Sequence, residues 1–142
     1  MNDSLERQLV NNYSDLYTWY DREHDSVSGP VPPITVSGFS VGDGWFDLLL
    51  SLSETITQQD VSMKVHQVKE KHGGLRFYHG GIKSDNDSDA CIVSGAIRHA
   101  ENMSYHVCEE CGNTGEIRTN GWYRTLCDNC WTEENARRRN SK

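Results

Sequence analysis

A chain of 142 residues with 35% hydrophobic content and a formal charge of -7 suits one small domain, or a small domain with a metal-held appendage. It has no apolar run of about 18 residues or more, which excludes a transmembrane helix. Its acidity makes it a poor general binder of the phosphate backbone. The charge is uneven: residues 1–107 carry 8 Lys+Arg against 15 Asp+Glu, while residues 108–142 carry six of each.

Residues 3–22 predict an amphipathic helix, because Leu5, Leu9, Tyr13, Leu16 and Tyr20 fall on one helical face. Asp3 and Glu6 have capping-box spacing at its start. Residues 25–44 read as a Pro/Gly-rich loop: Gly29-Pro30-Val31-Pro32-Pro33 cannot be helical, and Gly38, Gly42 and Gly44 continue the break. A second helix is expected from Asp43 through Trp45, Phe46 and Leu48 to Ile56, apolar on more than one face and therefore central to the core.

Residues 63–71 and 75–78 then predict a hairpin across His72-Gly73-Gly74, since Val, Phe and Tyr favour strands and the glycines permit a tight turn. A third helix is expected over about 88–105, with a stripe of Ile92, Val93, Ala96, Ile97, Ala100 and Met103. Asp85, Asp87 and Asp89 lie at its N-terminal end, where negative charge complements the helix dipole. They do not make a calcium loop, because Ala90 and Ala96 stand where the turn glycine and the bidentate glutamate belong. Cys91, within this helical pattern, reads as a small buried hydrophobe.

The strongest signal follows. Cys108-Glu109-Glu110-Cys111 and Cys127-Asp128-Asn129-Cys130 are two C-x2-C pairs fifteen residues apart, the spacing of a tetrahedral zinc site. Each pair brings two thiolates of one turn to the same metal. Four thiolates close the coordination sphere, so the expected Zn2+, one per chain, is structural. The residues between the pairs, 116–119 and 122–126, flank Asn120-Gly121 and predict a ribbon hairpin with a type I′ turn. Residues 132–142, with Arg137-Arg138-Arg139, read as a basic tail that starts helical and ends disordered. The lack of a signal-peptide apolar region and the metal-type cysteine usage together predict a cytoplasmic, reducing setting.

His66, His72 and His79 gather on the predicted hairpin near Glu70. A general base there would need a pocket and a partner that sequence does not show. His106 lies close to Cys108, but four cysteines already complete a site.

The run Val68-Lys69-Glu70-Lys71-His72-Gly73-Gly74-Leu75-Arg76-Phe77-Tyr78, together with Gly44-Trp45-Phe46-Asp47-Leu48-Leu49, Cys108-Glu109-Glu110-Cys111-Gly112, Gly121-Trp122 and Cys127-Asp128-Asn129-Cys130, resembles a group of small uncharacterised bacterial and phage proteins. In these, a K-E-K-x-G-x-L-R-F-Y hairpin precedes a helix and a C-terminal four-cysteine zinc ribbon. The resemblance spans roughly residues 42–131. It implies the architecture and a phage or prophage origin, but no catalytic residue.

The expectation is an α+β fold: three helices with a short β-hairpin, plus a C-terminal zinc-ribbon hairpin docked on the third helix. Residues 1–107 would form an acidic α+β domain, 108–131 the ribbon and 132–142 the tail. The expected function is a non-enzymatic, zinc-stabilised module that binds a host or phage protein. Trp122, Tyr123, Arg124, Arg118 and Arg76 would make the contact. The alternative is nucleic-acid binding through the same ribbon residues and the arginine tail. An enzyme built on the His/Glu-rich hairpin is the lesser alternative.

Overall fold

The computed structural model describes residues 1–18 and 39–140, and the fold is α+β. The described residues form four helices, a three-stranded mixed sheet and a C-terminal hairpin beside the four cysteines. The helices are α1 (Asp3–Asn12), α2 (Phe46–Thr57), α3 (Asp87–Met103) and α4 (Asp128–Asn140). The sheet contains β1 (Phe39–Ser40), β2 (Val65–Lys71) and β3 (Gly74–His79), and the hairpin pairs β4 (Glu116–Arg118) with β5 (Arg124–Leu126).

Helix α1 is shorter than its apolar pattern, and its cap differs from the expected one. Asn2 caps it, accepting from the backbone N–H groups of Ser4 at 3.0 Å and Leu5 at 3.1 Å. Asp3 is already helical. The helix stops at Asn12, where two asparagines compete for their own backbone. A turn then carries Leu16 and Tyr17 into the core. Tyr17 lies edge-on to Phe39, and its hydroxyl meets Ser53 Oγ at 2.7 Å. Tyr20 and the proline-rich segment fall outside the described residues.

The expected loop over 25–44 contains a strand at its end. Phe39 and Ser40 pair in parallel with Val68 and Lys69 of β2. The strand is too short to show a period in sequence, and Val68, its neighbour in the ladder, is what fixes it.

Helix α2 opens with a 3-10 turn over Asp43–Trp45. Trp45, Leu49, Leu52 and Ile56 are buried, as expected of a central helix. Its start is tied to α1, because Asn2 donates its backbone N–H and its side-chain amide to the two carboxylate oxygens of Asp43, each at 2.7 Å.

The β2–β3 hairpin turns at His72 (φ 55°) and Gly73 (φ 80°), one residue earlier than the Gly-Gly pair suggests. Gly74 is instead the first residue of β3, where the Tyr105 ring leaves no room for a side chain. Val68, Leu75 and Phe77 face the core. The outer edge of β3 is closed by α3 and the turn after it: Leu75 N–H donates to Ser104 Oγ at 2.8 Å, and Phe77 N–H to Glu101 Oε1 at 2.9 Å. That edge cannot recruit another strand.

Helix α3 is capped by Asn86, and it buries Val93, Ile97 and Ala100. Cys91 is exposed, not buried, and Ile92 is 45% exposed. Both lie off the face that α3 turns toward α2 and β3. The apolar stripe is therefore narrower than the sequence suggests.

In the ribbon, pairing ends at Arg118 opposite Arg124, so residues 119–123 form a five-residue loop. Within it only Gly121 is left-handed (φ 106°), and the expected two-residue Asn-Gly turn does not form. The arginines at its base explain the wider loop. Arg118 reaches back to Leu126 O and Asp128, and Arg124 turns to three glutamates. The basic tail continues as α4 to Asn140. It has no buried residue, and Glu133–Arg137 and Glu134–Arg138 pair along its face.

Candidate metal centre

Each cysteine pair sits on a different kind of turn. Cys108 and Cys111 belong to a knuckle in which Gly112 N–H donates to Cys108 O at 2.9 Å and Cys108 N–H donates to Asn113 O at 2.7 Å. Gly112 has φ 77°, so the knuckle requires a residue that tolerates the left-handed region. Cys127 and Cys130 lie at the start of α4, one turn apart on one face, and Trp131 N–H closes that turn on Cys127 O at 2.9 Å. The adjacent β4–β5 pairing carries the second pair to the first.

The four sulfurs lie within 4.8 Å of one another. Cys111 and Cys127 are 3.7 Å apart, too far for a disulfide, whose S–S bond is about 2.05 Å. The separation matches the edge of a tetrahedron with zinc–sulfur bonds of about 2.3 Å, roughly 3.8 Å. The donor set and its spacing therefore fit a tetrahedral metal such as zinc. Asn113 Nδ2 donates to Cys111 Sγ at 3.3 Å and Cys130 N–H to Cys127 Sγ at 3.5 Å, which offsets thiolate charge. In the bare thiols, donation from the Cys130 backbone N–H draws the Cys127 thiol down to about 7, whereas burial pushes Cys108 and Cys130 up. His106 is not part of the cluster; its carbonyl accepts from Gly115 N–H at 2.9 Å.

The knuckle is held from outside by Glu109, which is 5% exposed. Its backbone N–H donates to Thr125 O at 2.9 Å, and its carbonyl accepts from Gly44 N–H at 2.8 Å. Its carboxylate accepts from Gly42 N–H at 3.1 Å and from Arg124 Nε and Nη2 at 3.1 and 3.0 Å. One residue thus joins the segment before α2 to the first cysteine pair and to β5. Burial raises the Glu109 carboxyl above its ordinary value, against the opposing pull of Arg124. Burial also opposes the charge on Arg124, but bonds and charge from Glu110 and Glu109 outweigh it and hold the guanidinium firmly protonated. Arg124 further meets Glu110 at 2.6 Å and Glu134 at 3.1 Å.

Gly42 and Gly44 are close-approach positions. A Cβ on Gly42 would stand 2.2 Å from Glu109 O, and one on Gly44 would stand 2.1 Å from Cys108 O and 2.4 Å from Gly112 N. Trp45 adds an indole N–H bond to Val107 O at 2.8 Å. The ribbon is thus seated on the 42–45 segment, on the 3-10 turn Ser104–His106 and on the β2–β3 tip, rather than on α3 alone. At the tip, Thr125 Oγ1 donates to Gly73 O at 2.6 Å.

The other sequence-selected residues scatter around this seat. Trp122 is 68% exposed and its indole N–H donates to Glu70 Oε2 at 3.2 Å. Tyr123 is 45% exposed and stands edge-on to His72, with ring centres 6.5 Å apart. Arg118 pairs with Glu116 and Asp128 and lies over the Trp131 ring. Arg76 donates to Tyr105 OH at 2.8 Å, on the opposite side of the hairpin. His66 lies in β2, His79 at the end of β3 and His72 in the turn between them. The four cysteines are the one group of three or more His, Cys, Asp or Glu side chains among the described residues that converges on a metal-sized site.

Glu109, Gly42, Gly44 and Thr125 were not singled out by sequence. The Gly42-Asp43-Gly44-Trp45 run was visible, but as a loop and helix start. No protein family, curated protein or solved structure matches the chain. Among the described residues, no helix is long and apolar enough to cross a membrane.

Proposed function

We propose that this protein is a non-enzymatic, zinc-stabilised protein-binding module, whose one structural Zn2+ per chain is held by Cys108, Cys111, Cys127 and Cys130. The observation that carries the reading is the tip where two hairpins meet. There Trp122 and Tyr123 stand exposed but tethered, the first to Glu70 and the second against His72. Ile117, 43% exposed, lies over Gly73 beside them. Exposed aromatics held in one geometry lose little freedom on binding and are the residues that dominate protein interfaces. In this reading the zinc holds the 119–123 loop against the β2–β3 tip, and Arg118 and Arg124 shape the loop instead of touching the partner.

Charge favours a protein over a nucleic acid at the ribbon. Arg118, Arg124, Arg137 and Arg138 all pair with carboxylates, so the ribbon and tail offer little net positive charge to phosphates. The resemblance to phage and bacterial proteins further suggests a phage or prophage factor that acts in the host cytoplasm on a host protein, such as a defence or transcription component.

Two measurements test this. Elemental analysis should find one zinc per chain; less than half an equivalent, with all thiols reactive, removes the zinc. Quantitative capture from host lysate should recover a stoichiometric partner that Trp122→Ala loses. Equal recovery by that variant, or recovery of nucleic acid instead, rejects the surface.

A further inference from the structure

The sheet has a second face that the ribbon does not cover, and its charge is opposite to that of the whole chain. In the β2–β3 ladder Lys69 stands directly opposite Arg76, Gln67 opposite Tyr78 and Lys71 opposite Gly74. Ser40 of β1 flanks Lys69. Residues opposite one another share a face, and the face alternates along each strand. Since Val68, Leu75 and Phe77 point into the core, Lys69, Lys71, Arg76 and Tyr78 line the opposite, outer side. No carboxylate occupies any ladder position there, in a chain of net charge -7. None of the ion pairs among the described residues includes Lys69, Lys71 or Arg76. Glu101, the acid beside this edge, accepts from Phe77 N–H, and its charge also favours the protonated Arg76 without forming an ion pair with it.

The cations are also positioned. Lys69 Nζ lies over the Tyr78 ring, 5.1 Å from its centre, and the Arg76 guanidinium lies over the Tyr105 ring at 5.9 Å. Arg76 additionally donates to Tyr105 OH. The space above Gly74 that lets Tyr105 reach Arg76 exists because residue 74 has no side chain.

We infer that this outer sheet face is a docking surface for an acidic segment of a partner protein, which deepens the protein-binding reading above and rests on it. Lys69 and Lys71 are two residues apart on one strand, about 7 Å, the distance that separates alternate side chains of an extended peptide. An extended segment with acids at alternate positions therefore places successive carboxylates on successive cations, with Arg76 in the adjoining row. The β3 edge is closed, so the segment lies across the face and does not extend the sheet.

Two observations favour carboxylates over a nucleic acid. Lys69 lies over one face of Tyr78 and Arg76 over one face of Tyr105, which leaves fewer ring faces for a base to stack on. A nucleic acid also carries uniform charge beyond the patch, over a chain that is acidic elsewhere; a protein can confine its acids to the three cations.

The test uses the zinc-loaded full chain, nitrogen-15 labelled, titrated with a short peptide of alternating Glu and Ser. Amide shifts should centre on Lys69, Lys71, Arg76 and Tyr78, weaken with salt and be absent with the matching Gln-Ser peptide. Binding should fall at least tenfold in Lys69→Gln/Lys71→Gln/Arg76→Gln, checked for native zinc content and circular dichroism. Lys71→Gln alone, at an exposed position, should lower it without risk to the fold. Equal response to both peptides, no shifts at millimolar peptide, or unchanged affinity of the triple variant would overturn the proposal. So would tighter binding of oligo(dT) at the same salt, or masking of the face by self-association. Shifts centred on residues 117–123 would reject this face while leaving the ribbon tip as the binding surface. Partner capture that depends on Trp122 with no peptide response would do the same.

Discussion

Glu109, buried, and Arg124, partly buried, form an ion pair that joins the first cysteine pair to β5, with the Gly42 N–H on the other oxygen of the same carboxylate. Removing Glu109 leaves the Gly42 N–H without that acceptor and Arg124 with only Glu110 and Glu134. Glu109→Ala should destabilise the zinc-loaded protein by about 2–4 kcal/mol, near the range for breaking buried pairs, with Glu110 and Glu134 limiting the loss at Arg124. Glu109→Gln keeps an acceptor for Gly42 and should cost less. Urea midpoints at fixed zinc would measure the difference.

Gly44 and Gly95 make a matched pair of glycines. The first faces the Cys108 carbonyl with no space for a methyl group, and the second lies in α3 with nothing within 4 Å of where a methyl group would stand. Gly44→Ala should push the knuckle off its seat and weaken zinc by at least tenfold in competition with a chromophoric chelator. Gly95→Ala should leave zinc affinity unchanged and raise stability by about 0.5–1 kcal/mol, through helix propensity.

Much of this arrangement was legible from sequence, for specific reasons. The C-x2-C pairs were readable because four thiolates at that spacing have few other uses, and α2 because its leucines keep helical order. The β2–β3 hairpin was readable from its strand-favouring Val, Phe and Tyr and from the glycines between them, although its turn falls on His72-Gly73 and not on the Gly-Gly pair. The seat of the ribbon was not readable. Gly42 and Gly44 are required by backbone far along the chain, at Cys108 and Glu109, and Glu109 looked like a spacer between cysteines. The ribbon loop failed for the same reason: Asn120-Gly121 favours a two-residue turn locally, but Arg118 and Arg124 are engaged by distant carboxylates. Cys91 misled because helical spacing alone does not say how wide the buried face is.

Trp122 contributes little to the fold, being largely in solvent with one hydrogen bond to Glu70. Trp122→Ala should shift stability by no more than about 0.5 kcal/mol, as for an ordinary surface substitution. Thermal unfolding at saturating zinc checks that the variant is sound for the capture experiment.

Cys91 gives an internal standard for the metal site. It is exposed and stands apart from the four clustered sulfurs. In native, zinc-loaded protein an alkylating reagent should modify Cys91 rapidly and the cluster slowly; after chelation all five thiols should react. Mass spectrometry of the digested protein distinguishes them. Rapid labelling of Cys111 or Cys127 in the loaded state would contradict a closed site.

A metal on the four cysteines should hold the 42–45 segment in place as well as the ribbon. Amide hydrogen exchange with and without zinc tests it most directly, read at Gly42 and Gly44, whose N–H groups donate to Glu109. Chelation should remove protection at these two amides together with residues 108–131, while the buried part of α3 stays protected. Gly42 and Gly44 remaining protected in the zinc-free protein would contradict it.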